Sequence, residues 1–188
     1  MSRFWSKSVL ELTPYTPGEQ PQIKNLIKLN TNENPYGPSP RVIAAIKEAA
    51  SDDLRKYPDP NAQKLKDIIA KSYSLHPDQV FVGNSSDEVL GHTFRALLIQ
   101  DKPLLMPDIS YSFYPVWCQL FGINYQSAAL REDFTINVDD YYQENGGIIF
   151  ANPNAPTGIA LKLQEIIRLL NNNKDTVVVI DEAYVDFA

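Results

Sequence analysis

The sequence carries an aspartate at the tip of a strand-like run that contains no polar residue. Val177-Val178-Val179-Ile180 leads directly into Asp181-Glu182-Ala183-Tyr184. A carboxylate carried into apolar surroundings needs a cationic or hydrogen-bonding partner, because an unpaired buried charge is strongly disfavoured. Strand alternation places Asp181 and Tyr184 on opposite faces, so both serve one site only if the chain leaves strand geometry after Asp181.

Three further segments place polar or aromatic groups where an apolar run ends. In Val80-Phe81-Val82-Gly83-Asn84-Ser85-Ser86-Asp87-Glu88 a helix is expected to start just after a glycine. Ser85 and Glu88 have capping-box spacing, and the free N–H groups of the first turn could hold a phosphate together with the serine hydroxyls. Asn152-Pro153-Asn154-Ala155-Pro156-Thr157-Gly158 follows the run 148–151. Its prolines and glycine make a constrained turn that can aim an amide or a hydroxyl, although an ordinary Asn/Pro turn has the same composition. Tyr111, Phe113, Tyr114 and Trp117 form an aromatic cluster after a third run. Phe113 and Trp117 read as core, whereas Tyr111, at the strand-to-helix junction, can lie flat on a ring-shaped ligand. Tyr57, in Lys56-Tyr57-Pro58-Asp59-Pro60, is held extended by its prolines and by default is a surface tyrosine. His76 and His92 have no Ser, Cys or carboxylate at triad spacing, and Cys118 reads as a small core residue. Four apolar residues followed by Asp-Glu is also the form of a P-loop magnesium strand, but no G-x-x-x-x-G-K-[ST] occurs, which sets that reading aside.

These residues need a scaffold, and the pattern supplies one. Short apolar runs at 80–82, 104–106, 123–128, 148–151 and 177–180 alternate with amphipathic stretches at 86–99, 112–121, 138–144 and 163–171. That succession predicts an α/β domain with helices on both faces of a mostly parallel sheet. The wholly apolar 177–180 run reads as a strand covered on both sides. Before it, Pro14, Pro17, Pro21, Pro35, Pro38, Pro40, Pro58 and Pro60 crowd the first third and mark an irregular N-terminal arm. Within the arm, Leu26, Ile27 and Leu29 make a strand-like run. Ser39 with Pro40 starts a helix carrying Val42, Ile43, Ile46 and Ala49, and a second helix after Pro60 buries Leu65, Ile68 and Ile69. We therefore expect an arm and small-domain segment over 1–60 and a large-domain portion over 61–188.

Composition narrows the partners. The 188 residues carry 17 basic and 23 acidic side chains, a formal charge of −6. This is the opposite of the basic footprint that nucleic acid binding requires. One cysteine and two histidines fit neither a disulfide framework nor a zinc site, so no metal is expected. No signal-peptide core and no run of membrane-spanning length occur, and the expected setting is cytoplasmic.

Taken in order, NENPYGPSP, KYPDP, GNSSDE, DISYSFY, NPNAPTG and VVVIDEAYVDF resemble the class I/II, fold-type I pyridoxal-phosphate aminotransferases over residues 29–187. Within the family the chain is most similar to the branch that moves an amino group between L-histidinol phosphate and 2-oxoglutarate in histidine biosynthesis. Same-fold alternatives are an aromatic aminotransferase and a threonine-phosphate decarboxylase. An alternative of another class is a non-catalytic phosphate-binding or interaction module. The resemblance implies pyridoxal 5'-phosphate as cofactor, with Ser85, Ser86 and Asp87 around its phosphate, Tyr111 on its ring and Asp181 on the ring nitrogen. It further places Tyr184 on the ring 3-oxygen and Tyr57 on the phosphate of a neighbouring subunit, hence a homodimer. Asn34 and Tyr36 would lie toward a small amino-acid-like phosphate substrate. Many relatives carry Asn directly before Pro-Thr-Gly where this chain has Ala155, so Asn154 takes that role in our expectation. The family's Schiff-base lysine falls beyond Ala188, since Lys162 and Lys174 precede Asp181. The chain therefore reads as the front part of a longer protein, inactive by itself.

Overall fold

A computed structural model describes residues 3–13, 18–19 and 21–188; Pro14 and Pro17 lie outside the described residues. The elements are α1 (Lys7–Glu11), α2 (Pro40–Ala49), α3 (Gln63–Tyr73), α4 (Ser85–Leu97), β1 (Leu104–Pro107), α5 (Tyr114–Phe121), β2 (Tyr125–Ala128), β3 (Gly147–Ala151), α6 (Leu163–Asn172) and β4 (Val178–Asp181). Short 3-10 turns intervene, and the 138–144 segment, expected as a helix, is one of them over Val138–Tyr141. The run 80–82 is extended but pairs with no strand among the described residues.

Compactness divides the chain into Met1–Tyr15 with Gly83–Ala188, and Thr16–Val82. Residues 61–82, α3 among them, thus group with the segment that precedes them.

In the first unit all four strands are parallel, in the order β2-β1-β3-β4. Alternation along the strands sorts their side chains into two layers. Leu104, Met106 and Ile149 join Leu90 and Phe94 of α4, Leu98 just after it, and Tyr114 and Cys118 of α5 in one buried cluster. Leu105, Ile148 and Phe150 point the other way, to Val138, Tyr141 and Leu169 of α6. Each fully buried side chain of this size contributes roughly 1.5–3 kcal/mol of hydrophobic stabilisation. Gly91 lets the layers close on one side: a Cβ there would stand 3.0 Å from the Trp117 ring.

The apolar run 177–180 supplies most of β4, which among the described residues pairs with β3 and is half-buried. Apolar composition reports which surroundings a strand prefers, and the number of its neighbours is a matter of topology.

In the second unit α2 begins as the sequence predicts, with Ser39 Oγ accepting the Val42 N–H at 3.4 Å and Pro40 in the first turn. The α3 helix follows Asp59, whose carboxylate accepts the N–H groups of Asn61 and Gln63 at 3.0 and 2.8 Å. Ala70 is the residue that α3 buries; Leu65 and Ile68, expected inside, are exposed. Leu26, Ile27 and Leu29 are exposed as well, and form no strand. Their sequence pattern was apolar, but a strand needs a ladder partner to hold its backbone groups.

Candidate functional site

The chain runs from β1 through α5 outward to β2, returns to β3 on the other side of β1, and continues through α6 outward to β4. Because α5 and α6 pack on opposite faces, the winding reverses between β1 and β3. In a parallel sheet such a reversal opens a crevice beyond the carboxyl ends of the two strands, the usual position of a ligand. The Asp108–Phe113 and Asn152–Gly158 segments leave β1 and β3 there.

Asn154 stands at that crevice. It is 1% exposed, its Oδ1 accepts the Ser110 hydroxyl at 2.8 Å and its Nδ2 donates to the Ile109 carbonyl at 2.9 Å. Both polar ends of the amide brace the β1 loop against the β3 loop. Asn152 ties the same turn to the next elements: its N–H donates to the Asp181 carbonyl at 2.8 Å and its Oδ1 accepts from the Leu161 N–H at 2.7 Å. Gly158, at φ +72°, closes the turn in a conformation that favours glycine.

Register decides where Asp181 points. Ile149 pairs with Val179 and Ala151 with Asp181, so Asp181 shares the face of Ile149, toward α4 and α5. Its Oδ2 accepts the Tyr114 hydroxyl at 2.9 Å and its Oδ1 accepts the Ala183 N–H at 3.1 Å. The partner demanded by a carboxylate at an apolar strand tip is therefore a buried tyrosine. Tyr114 was legible only as one aromatic of four; its spacing of three from Tyr111, one helical turn, was the signal. Burial first, and then the Asp181 charge, push the Tyr114 phenol well above the ordinary tyrosine range. The strand ends at Asp181, and a 3-10 turn over Val185–Phe187 follows, so Tyr184 is freed from strand alternation as the sequence required.

Tyr111 meets Tyr114 edge-on at 5.4 Å and donates its hydroxyl to Asp87 Oδ1 at 3.0 Å. Asp87, Tyr111, Tyr114 and Asp181 thus form one continuous chain of contacts from the first turn of α4 to the tip of β4. Ser85, Ser86 and Asp87 are exposed in that first turn. The expected capping box over Ser85 and Glu88 is not formed. Asn84 occupies the cap position, and Glu88 accepts the Asn84 N–H instead. The helix starts one residue earlier than the spacing implied, and Ser85, at φ +76°, takes up the turn.

Cys118 is buried in the apolar cluster, which pushes its thiol up to about 12 and keeps it protonated. His76 Nδ1 accepts the Asp78 N–H at 3.3 Å in a loop of the second unit. Asn34, Tyr36 and Tyr57 also belong to that unit. Asn34 Oδ1 accepts the Tyr36 N–H at 2.9 Å, and both tyrosines are exposed.

A carboxylate held by two donors, an aromatic face beside it and an open helix N-terminus, all at the carboxyl end of a parallel sheet, suit a flat heterocycle bearing a phosphate. The fold is that of the fold-type I aminotransferases. The chain belongs to the family "Aminotransferase class I and II", whose model matches residues 24–188. It is 61% identical over 186 residues to a histidinol-phosphate aminotransferase 2 of Thiobacillus denitrificans, covering 99% of this chain and 52% of that protein. It is 62% identical over 188 residues to the histidinol-phosphate aminotransferase of Acinetobacter baylyi, with 98% and 52% covered. The crystal structure of histidinol-phosphate aminotransferase from Sinorhizobium meliloti in complex with pyridoxal-5'-phosphate shares the fold at a TM-score of 0.75. The match is 24% identical and covers 84% of this chain and 44% of that one. The chain spans about half the length of the curated relatives it matches.

Proposed function

We propose that these residues form the cofactor-holding portion of a pyridoxal-phosphate transaminase that moves an amino group between L-histidinol phosphate and 2-oxoglutarate. The observation that carries the reading is the Asp181 carboxylate, ordered by Tyr114 and Ala183 at a strand tip where a bare anion would be costly. Identities near 60% to histidinol-phosphate aminotransferases support the substrate.

Each side chain has a distinct part in this reading. Asp181 holds a proton at the ring nitrogen, and Tyr111 presents its face to the ring. Ser85, Ser86, Asp87 and the free N–H groups of the α4 first turn surround the phosphate. Tyr184 donates to the ring 3-oxygen. When bound, the cofactor supplies the electron sink for the pair released at the substrate Cα. Asn154 reaches the 3-oxygen only through its second amide hydrogen, since its other polar positions brace Ile109 and Ser110. Tyr57 reaches the phosphate from a second subunit, and Asn34 and Tyr36 face the substrate. The imine-forming lysine lies outside these 188 residues, so the chain alone does not turn over.

Two measurements test this. The chain is expected to bind pyridoxal phosphate more tightly than inorganic phosphate in direct competition. Equal affinity for the two favours a simple phosphate-binding module and overturns the proposal. The full-length protein is expected to form glutamate from L-histidinol phosphate and 2-oxoglutarate. Turnover of aromatic amino acids with none of histidinol phosphate would replace the substrate assignment.

A further inference from the structure

The rotation of the Asp181 carboxylate about its Cβ–Cγ bond is fixed from both sides. Ala183 donates to Oδ1 from the same strand end, while the donor to Oδ2, Tyr114, lies 67 residues earlier in the sequence at the start of α5. Tyr114 is 0% exposed. Its ring packs on Phe94 at a centroid distance of 6.1 Å and on Tyr111 edge-on at 5.4 Å. It cannot swing away without opening the apolar layer that α4 and α5 share with the sheet. Burial and the neighbouring anion keep the phenol protonated, so it remains a donor wherever the protein is folded. An ionised carboxylate has about four lone-pair directions, and these two donors occupy one on each oxygen, leaving a defined pair for an outside partner.

We propose that Tyr114 is a positioning residue: its buried hydroxyl sets the plane of the Asp181 carboxylate so that a free lone pair is presented to the protonated ring nitrogen of the cofactor. This rests on the reading of Asp181 as the ring-nitrogen partner. Tyr114 acts through Asp181 and touches no ligand atom. Removing its hydroxyl leaves the aromatic packing in place and removes one donor to an anion. The carboxylate must then be ordered when the ring binds, which costs affinity.

The test is a double-mutant cycle on the holoenzyme, read as the cofactor dissociation constant. Tyr114→Phe is expected to weaken binding about tenfold, the scale of one hydrogen bond to a charged group. In the Asp181→Asn background the same change is expected to have no further effect. An equal loss in both backgrounds marks a merely structural role and overturns the proposal. Unchanged affinity in Asp181→Asn alone overturns the ring-nitrogen reading, and Tyr114's part with it. A cofactor analogue with carbon in place of the ring nitrogen separates the two further: Tyr114→Phe should leave its affinity unaltered, and a tenfold loss there counts against positioning. If Tyr114→Phe does not fold, proton NMR gives a second readout. The Tyr114 hydroxyl proton, shifted downfield by an anionic acceptor, is expected to move upfield in Asp181→Asn, and an unmoved resonance overturns the pairing.

Discussion

The Thr16–Val82 unit and the Gly83–Ala188 sheet both carry amphipathic helices and use them differently. In the sheet unit, α4, α5 and α6 press their apolar stripes onto strands, and Phe94, Tyr114, Ile149 and Phe150 lose all contact with solvent. In the other unit, α2 starts at a side-chain cap on Ser39 and the first N–H of α3 is held by the Asp59 carboxylate, yet α2 buries nothing and α3 buries only Ala70. Local signals suffice to begin and end a helix, but the stability of a helix in water comes mainly from what its apolar face is packed against. The Asp87–Tyr111–Tyr114–Asp181 chain of contacts and the Asn154 brace both lie in the packed unit, where a rigid layer holds groups from distant segments in place.

This contrast can be broken most directly by core truncation. Phe150→Ala should destabilise the sheet unit by about 3–5 kcal/mol in denaturant unfolding, whereas Ile68→Ala, at an exposed α3 position, should change stability by no more than about 0.5 kcal/mol. Similar losses from both would erase the distinction between the units. Next in size, Asn154→Ala leaves the Ser110 hydroxyl and the Ile109 carbonyl without their partner. A loss of about 1–3 kcal/mol is expected by the same measurement, together with faster amide exchange in the β1 and β3 loops. Ser39→Ala removes the α2 cap and should cost about 1 kcal/mol, seen as fraying of α2 by amide exchange with the sheet unit unchanged.

The smallest expected effect concerns pH. Asp59 is held below its ordinary range by the Asn61 and then the Gln63 backbone N–H groups. A carboxyl whose folded value is lowered stabilises above its unfolded value, and that contribution is lost as pH falls through the folded one. The start of α3 should therefore loosen on acidification below the normal carboxylate range, and Asp59→Asn should remove that pH dependence. Amide exchange at Asn61 and Gln63 between neutral and acidic pH checks it.

How far the site could be seen in advance depended on how local each feature is. The strand tip at Asp181, the turn 152–158 and the aromatic junction at Tyr111 follow from residue type and spacing, and the structure places all three at the carboxyl end of the sheet. Glu88 bonding to Asn84 rather than to Ser85 was out of reach, since a shift of one residue at a helix start depends on backbone angles such as the positive φ of Ser85. Asn154 was expected to face a ligand and is committed mainly to the β1 loop, because its partners Ile109 and Ser110 come from 45 and 44 residues away. The exposed stripe of α3 escaped for a related reason: periodicity names the face that prefers cover and says nothing of what supplies it.

By itself, the sequence determined the βα succession, the helix starts at Ser39 and Pro40, the carboxylate at the end of an apolar strand and that carboxylate's need for a partner. Those are consequences of hydrophobic periodicity, backbone capping and the cost of desolvating charge, which act within a few residues. Only the tertiary structure decided that the winding reverses between β1 and β3, that Ala151 is in register with Asp181, and that the partner is Tyr114. Each of these is a pairing between distant segments, and it is fixed by the shape and packing of two cores rather than by any neighbour in the chain.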